Sequence, residues 1–272
     1  MKKLLSLVSM IVILYSSLLA SDDINSYLVG AYMDADKVSQ KLKENGFDVV
    51  STYKISKKSN STTVIFTNSE MKKQAAKKGR GFAGVLRVLV DKDRDRISIM
   101  NPIYFQRAFL QKDYNAKSAT KTLKSIQNAF GELKGSEEKL DEDDIEGYHF
   151  MMSMPYYEDS VEVGKGNLVE LLEKLHKYKN GKNYVFDLKL SDSSYLVGYQ
   201  LSKRTSKFVK KIGTQNEQVL PYMILIENDK ATILNAKYYL AISYPLLSMG
   251  QFMKISTVPG AIEKELSKPF WR

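Results

Sequence analysis

The stretch His149-Phe150-Met151-Met152-Ser153-Met154 holds the side chains best suited to soft-metal chemistry in this chain. Imidazole and thioether ligands suit Cu(I). An extended backbone would put His149 and Met151 on one face and Met152 and Met154 on the other. A metal site centred on His149 and Met151 therefore needs further ligands from elsewhere in the chain. The competing reading is that Met and Phe fill the core of a buried strand. His176 is the only other histidine. It lies beside the apolar stripe of a helix, near the C-terminal end, where a protonated imidazole is favoured. Two histidines so placed, with no cysteine, make a serine triad hard to assemble. Thiol nucleophiles, thiolate metal sites and thiol redox chemistry are excluded. Carboxylate acid–base catalysis stays open, with Asp187 and Glu227 as candidates, but no residue is assigned a catalytic role and no cofactor is called for.

Gly79-Arg80-Gly81-Phe82-Ala83-Gly84 matches G-x-G-x-x-G letter for letter. A dinucleotide fingerprint sits between a strand and the helix it opens. Here the glycines follow a helix and precede a strand, so a flexible helix-to-strand loop is expected. Basic residues recur in two places, among them Lys77, Lys78 and Arg80, then Lys210 and Lys211. If both sets face one way they make an anion-binding surface; solvation alone also accounts for them. The aromatic pairs Tyr104-Phe105 and Tyr238-Tyr239 follow Asn101 and Asn235. These six residues could line a ligand cleft, with the asparagines as polar anchors. Alternatively the aromatics are core and each Asn closes a turn.

The elements that must position these residues occur twice. Each half opens with a strand, Tyr27 to Met33 and then Gly147 to Met154, followed by an amphipathic helix. Val38 and Leu42 share a face in the first; Leu168, Leu171, Leu172 and Leu175 follow helical spacing in the second. Both helices are expected to stop at Asn-Gly, at Asn45-Gly46 and Asn180-Gly181. Two extended segments, a short basic helix, a hairpin and a closing helix then follow in each half. Asn101 and Asn235 stand 134 positions apart. Between the halves, residues 134–146 carry a run of acidic side chains that prefers solvent and reads as a linker. Asp141, Asp143 and Asp144 offer hard oxygen ligands there, though their spacing departs from an EF-hand loop.

The expected fold class is therefore α+β: two copies of a β-α-β-β-α-β-β-α module, each an antiparallel sheet with helices packed on one face. The copies span residues 21–133 and 147–272. This pattern resembles the bacterial family called domain of unknown function three-zero-two. The likeness rests on Asn45-Gly46-Phe47, Thr63-Val-Ile-Phe66-Thr-Asn68, Leu86-Arg-Val-Leu-Val90 and Asn101-Pro102. The second copy departs from it at Ala236 and at Tyr195-Leu-Val-Gly-Tyr199. The resemblance implies a compact α+β fold and no established catalytic residues.

Residues 1–20 read as a secretory signal, with Lys2 and Lys3 before an apolar stretch and Ala20 at a plausible cleavage point. Periplasmic location is the expectation, with an uncleaved N-terminal anchor as the alternative; no later segment is apolar enough to span a membrane. The chain is 43% hydrophobic and 26% charged, a globular composition, and its formal net charge of +10 points, behind a leader, to envelope anions and not to nucleic acid. The expected function is a non-catalytic envelope binding or interaction module, monomer or homodimer, with a cleft at the repeat interface for a small molecule or envelope anion. The runner-up is a Cu(I) protein using His149 and Met151, and a carboxylate enzyme is third.

Overall fold

The computed structural model describes residues 23–271; the leader expected over residues 1–20 lies outside the described residues. Its elements are β1 (Asp23–Asn25), β2 (Tyr27–Ala31), α1 (Ala35–Glu44), β3 (Asp48–Tyr53), β4 (Ser61–Thr67), α2 (Ser69–Ala75), β5 (Leu86–Asp91), β6 (Arg96–Met100), α3 (Pro102–Leu110), α4 (Ala116–Phe130), β7 (Lys134–Gly135), β8 (Lys139–Asp141) and α5 (Glu142–Glu146). They continue with β9 (Val161–Lys165), α6 (Leu168–Lys177), β10 (Tyr184–Ser191), β11 (Ser194–Tyr199), α7 (Val209–Ile212), β12 (Tyr222–Glu227), β13 (Lys230–Ile233), α8 (Ala236–Ser243), α9 (Met249–Met253) and α10 (Val258–Ser267). The fold is α+β, and every strand pair in it is antiparallel.

A six-stranded sheet runs β3-β4-β5-β6-β2-β7 and a five-stranded sheet runs β10-β11-β12-β13-β9. Apart from the two-residue strand β7, the two orders correspond strand for strand. In each sheet the first strand of its segment pairs with the last arm of the hairpin, and a helix follows that first strand. The stripe of α1 buries Val38 and Leu42, and that of α6 buries Leu171 and Leu175. Each helix starts at an Asx cap, Asp34 accepting from the Lys37 amide and Asn167 from the Glu170 amide, which satisfies amides with no partner inside the helix.

Strand alternation divides the central strands. Val88 pairs with Ile99 on one face of the first sheet, while Arg87, Leu89 and Ser98 lie on the other, against residues 214–221. The second sheet receives a matching insertion. Residues 81–84 form a 3-10 turn whose glycines abut Leu225, Leu190 and Leu188. A Cβ on Gly81 would fall 2.2 Å from Leu225 Cδ1. The G-x-G-x-x-G stretch is thus a buried close-packed turn and not a flexible loop, and only glycine lets the backbone come that near.

Helices α3 and α8 meet at the seam where the two sheet segments adjoin. The Tyr104 hydroxyl donates to the Ile242 carbonyl at 2.8 Å, and the Tyr238 hydroxyl donates to the Ala108 carbonyl at 3.2 Å. Each tyrosine bonds the carbonyl four residues beyond the other tyrosine.

Several expectations give way. Residues 147–154 do not form the opening strand of the second segment; Val161–Lys165 does, pairing with β13. The Met-rich stretch instead turns outward, with Met152 92% exposed, while Phe150 stacks on Phe252 at 4.9 Å. Helices α3 and α8 were not anticipated. Asn101 and Asn235 cap them, accepting from the Ile103 and Lys237 amides. Helix α6 ends at Lys177, and Lys179 and Asn180 take left-handed conformations before Gly181. Finally, residues 134–146, expected as an acidic linker, carry secondary structure of their own. Strand β7 extends the first sheet, β8 pairs with β1, and ion pairs Lys139–Asp23 and Arg107–Glu142 offset part of the acidic run.

Candidate functional site

Of the six cleft residues expected from the sequence, five are buried as core, while Asn235 is half-buried at the start of α8. Tyr104, Phe105, Tyr238 and Tyr239 are each at most 2% exposed. Their hydroxyls are spent inside: Tyr239 donates to the Val219 carbonyl and accepts from Arg87 Nη1 at 2.7 Å. Asn101 donates to the Asn25 carbonyl in addition to capping α3. Burial pushes all three tyrosine hydroxyls, Tyr104, Tyr238 and Tyr239, above their ordinary pKa. None of the six lines an open hollow described below.

Open space at the seam lies to either side of that core. The first cleft, of about 510 Å³, is walled by Tyr27, Arg94, Arg96, Ser98, Lys134 and Glu138 of the first sheet's segment and by Gln215, Asn216 and Tyr244 from beyond β9. Tyr27 and Tyr244 stack with centroids 5.6 Å apart. Arg94 is held by Asp91 at 3.0 Å and by Gln215 Oε1 at 2.9 Å. Arg96 Nε is buried without a hydrogen-bond partner, a state that costs a charged donor several times what an exposed one loses. Glu138 accepts from the Leu246 amide at 2.8 Å, and burial raises its carboxyl above the usual range.

The second cleft, of about 430 Å³, is walled by Lys78, Gly79, Arg80, Phe82 and Lys112 on one side and by Tyr157, Glu158, Glu227, Lys230 and Thr232 on the other. Arg80 lies 5.4 Å from the Tyr157 ring centroid and pairs with Glu158 at 3.1 Å. The Tyr157 hydroxyl donates to the Gly79 carbonyl, and the Gly79 amide donates to Glu227 at 2.8 Å.

The two clefts occupy corresponding places. Arg96 and Ser98 sit on β6 as Lys230 and Thr232 sit on β13, 134 positions on. In each, the opposite wall is the 3-10 insertion contributed by the other segment. Both mix cations, carboxylates and an aromatic ring, a lining suited to a small polar molecule with an anionic group.

The remaining sequence candidates lie apart from these clefts or are neutralised within them. The His149 ring lies tilted against Tyr156 with centroids 4.4 Å apart, and its Nδ1 lies 3.5 Å from the Gly147 carbonyl; Met151 is 48% exposed. With no strand there, the shared-face argument for these two ligands lapses. Among the described residues no three or more His, Asp or Glu side chains group for a metal ion. His176 Nε2 is 3.5 Å from Asp187, at an exposed helix end. Lys77 and Arg80 pair with Asp113 at 3.4 and 3.0 Å, and hydrogen bonding from Arg80, then Lys77, holds that carboxyl below its ordinary value. The first basic set is therefore largely neutralised. Lys210 and Lys211 are exposed. Sequence reasoning missed Arg96, Glu138 and Lys230; Arg96 and Lys230 had one signal, their place at the start of the second arm of a hairpin.

No helix among the described residues is long and apolar enough to cross a membrane. Compared with known proteins, the chain matches no family model, no curated protein and no solved structure.

Proposed function

We propose that this chain is a non-catalytic binding module of the bacterial envelope, exported behind residues 1–20, that takes a small polar ligand at the seam clefts. In this reading the scaffold is a tandem duplication of an α+β unit resembling the domain of unknown function three-zero-two family. The observation that carries it is the recurrence of a half-open, mixed-charge cleft on both hairpins, each closed by the other segment's insertion. Arg96 lines one of these clefts and forms no ion pair among the described residues, so a ligand anion can supply its counter-charge.

The test is a thermal-shift panel of small carboxylates, phosphates and zwitterions on the full chain, run beside Arg96→Ala and assayed in parallel for turnover. A stabilising ligand whose effect disappears in Arg96→Ala supports the reading. Turnover of any member, or stabilisation unchanged in the variant, contradicts it.

A further inference from the structure

A third hollow, of about 560 Å³, lies wholly outside the seam, between residues 202–211 and α10. Five of its lining residues are cations: Arg204, Lys207 and Lys211 on one wall, Lys264 and Lys268 on the other. None of the five forms an ion pair among the described residues, and all are exposed. Lys211 donates to the Lys254 carbonyl at 3.2 Å, a bond that leaves its charge unmatched.

The single carboxylate in the lining offsets only one of the five charges. Glu265 accepts from the Ser202 amide, from Ser202 Oγ at 2.9 Å and from the Thr205 hydroxyl, so its oxygens are turned to the 202–205 turn. The first turn of α10 also borders the hollow through Thr257 and Val258, and no side chain caps it. A helix start of this kind adds positive potential. Lys207–Lys211 and Lys264–Lys268 are same-sign pairs four residues apart, a spacing that destabilises helical segments. Five cations held around one concavity repel each other until an anion enters.

We infer that this hollow binds a multiply charged phosphate compound, the two cationic walls contacting different phosphate groups. Its volume fits a small molecule, and rows of lysine and arginine on opposing elements suit separated charges better than one monovalent ion. The site is independent of the seam clefts. The same phosphate chemistry is available free in solution or in a lipid headgroup, so the test needs both sources.

Isothermal titration of the full chain with inorganic tripolyphosphate, and co-sedimentation with vesicles of phosphatidylcholine containing cardiolipin, whose headgroup carries two phosphates, would be compared for wild type and Lys207→Glu/Lys264→Glu. Lys43→Glu/Lys121→Glu, which changes two exposed lysines elsewhere, is the charge-matched control. We expect saturable binding to one probe, weakened at least tenfold in the first variant and no more than twofold in the control. Tripolyphosphate binding identifies a free polyphosphate ligand, and vesicle binding alone identifies a headgroup. Binding to neither probe, or equal weakening in both variants, overturns the inference. Arg96→Ala leaves this binding unchanged, which separates its failure from that of the seam reading.

Discussion

Arg87 and Gln218 exchange hydrogen bonds: Arg87 Nη1 donates to the Gln218 carbonyl at 2.7 Å, and Gln218 Nε2 donates to the Arg87 carbonyl at 2.9 Å. Gln218 Nε2 also reaches the Ser98 carbonyl, and Arg87 Nη2 reaches that of Pro221. Arg87 is fully buried, and its acceptors are carbonyls and the Tyr239 hydroxyl. This cluster ties residues 214–221 to the first sheet and so shapes one wall of the first cleft.

Replacing Arg87 with Ala strands those acceptors and opens a cavity, a loss of roughly 3 kcal/mol or more. Met223 is the second residue of β12 as Arg87 is of β5. Arg87→Met should therefore cost less than Arg87→Ala, since it refills the volume while still leaving the carbonyls unpaired. Urea titrations of both variants check the order.

Gly81→Ala places a methyl against Leu225, so that side chain must shift. The expected cost is about 1–3 kcal/mol, the range for overpacking a well-filled core. Gly147→Ala, where a Cβ meets nothing within 4 Å, is the control and should leave the melting temperature within a degree or two.

Tyr104→Phe and Tyr238→Phe each remove one of the exchanged hydroxyls at the seam. Tyr104→Phe leaves the buried Ile242 carbonyl without that donor and should cost about 1–2 kcal/mol, whereas the Ala108 carbonyl keeps Gln111 Nε2 at 2.7 Å, so Tyr238→Phe should cost less. The bond from Tyr104 is also the shorter. Chemical denaturation of both variants measures this, and neutrality in both would mean the two helices meet differently.

Glu138 gives a pH signature. Burial raises its folded pKa above the unfolded value, so the folded chain holds that proton more tightly. The associated stability is present below the unfolded pKa and is lost as pH rises through the folded one. Glu138→Gln keeps an acceptor for the Leu246 amide without the charge. Its melting temperature relative to wild type should therefore rise as the pH climbs above the ordinary carboxylate range. A difference that stays flat across that range contradicts the assignment.

Much of the scaffold was legible because its signals are local. Val38 and Leu42 announce α1, and the β-branched runs at 61–67 and 86–91 announce central strands. Helices α3 and α8 escaped because they are apolar nearly all round, as buried helices are, and Tyr104-Phe105 or Tyr238-Tyr239 then carry no stripe to read. The run 147–154 was misread because Met and Phe look like core wherever they fall. The true strand, Val161-Glu-Val163, alternates but is too short to stand out. The clefts were out of reach for a different reason. Arg96 shares a cleft with Asn216, and Arg80 pairs with Glu158, only through packing between residues far apart in sequence, and no local pattern encodes such neighbours.

Native mass spectrometry of the full chain, incubated with a small-molecule extract of bacterial envelope and then desalted, tests the seam reading most directly. The account predicts a discrete small-molecule adduct on wild type that is absent from Arg96→Ala/Lys230→Ala. An adduct of equal mass and occupancy on both proteins, or none on wild type, would contradict it.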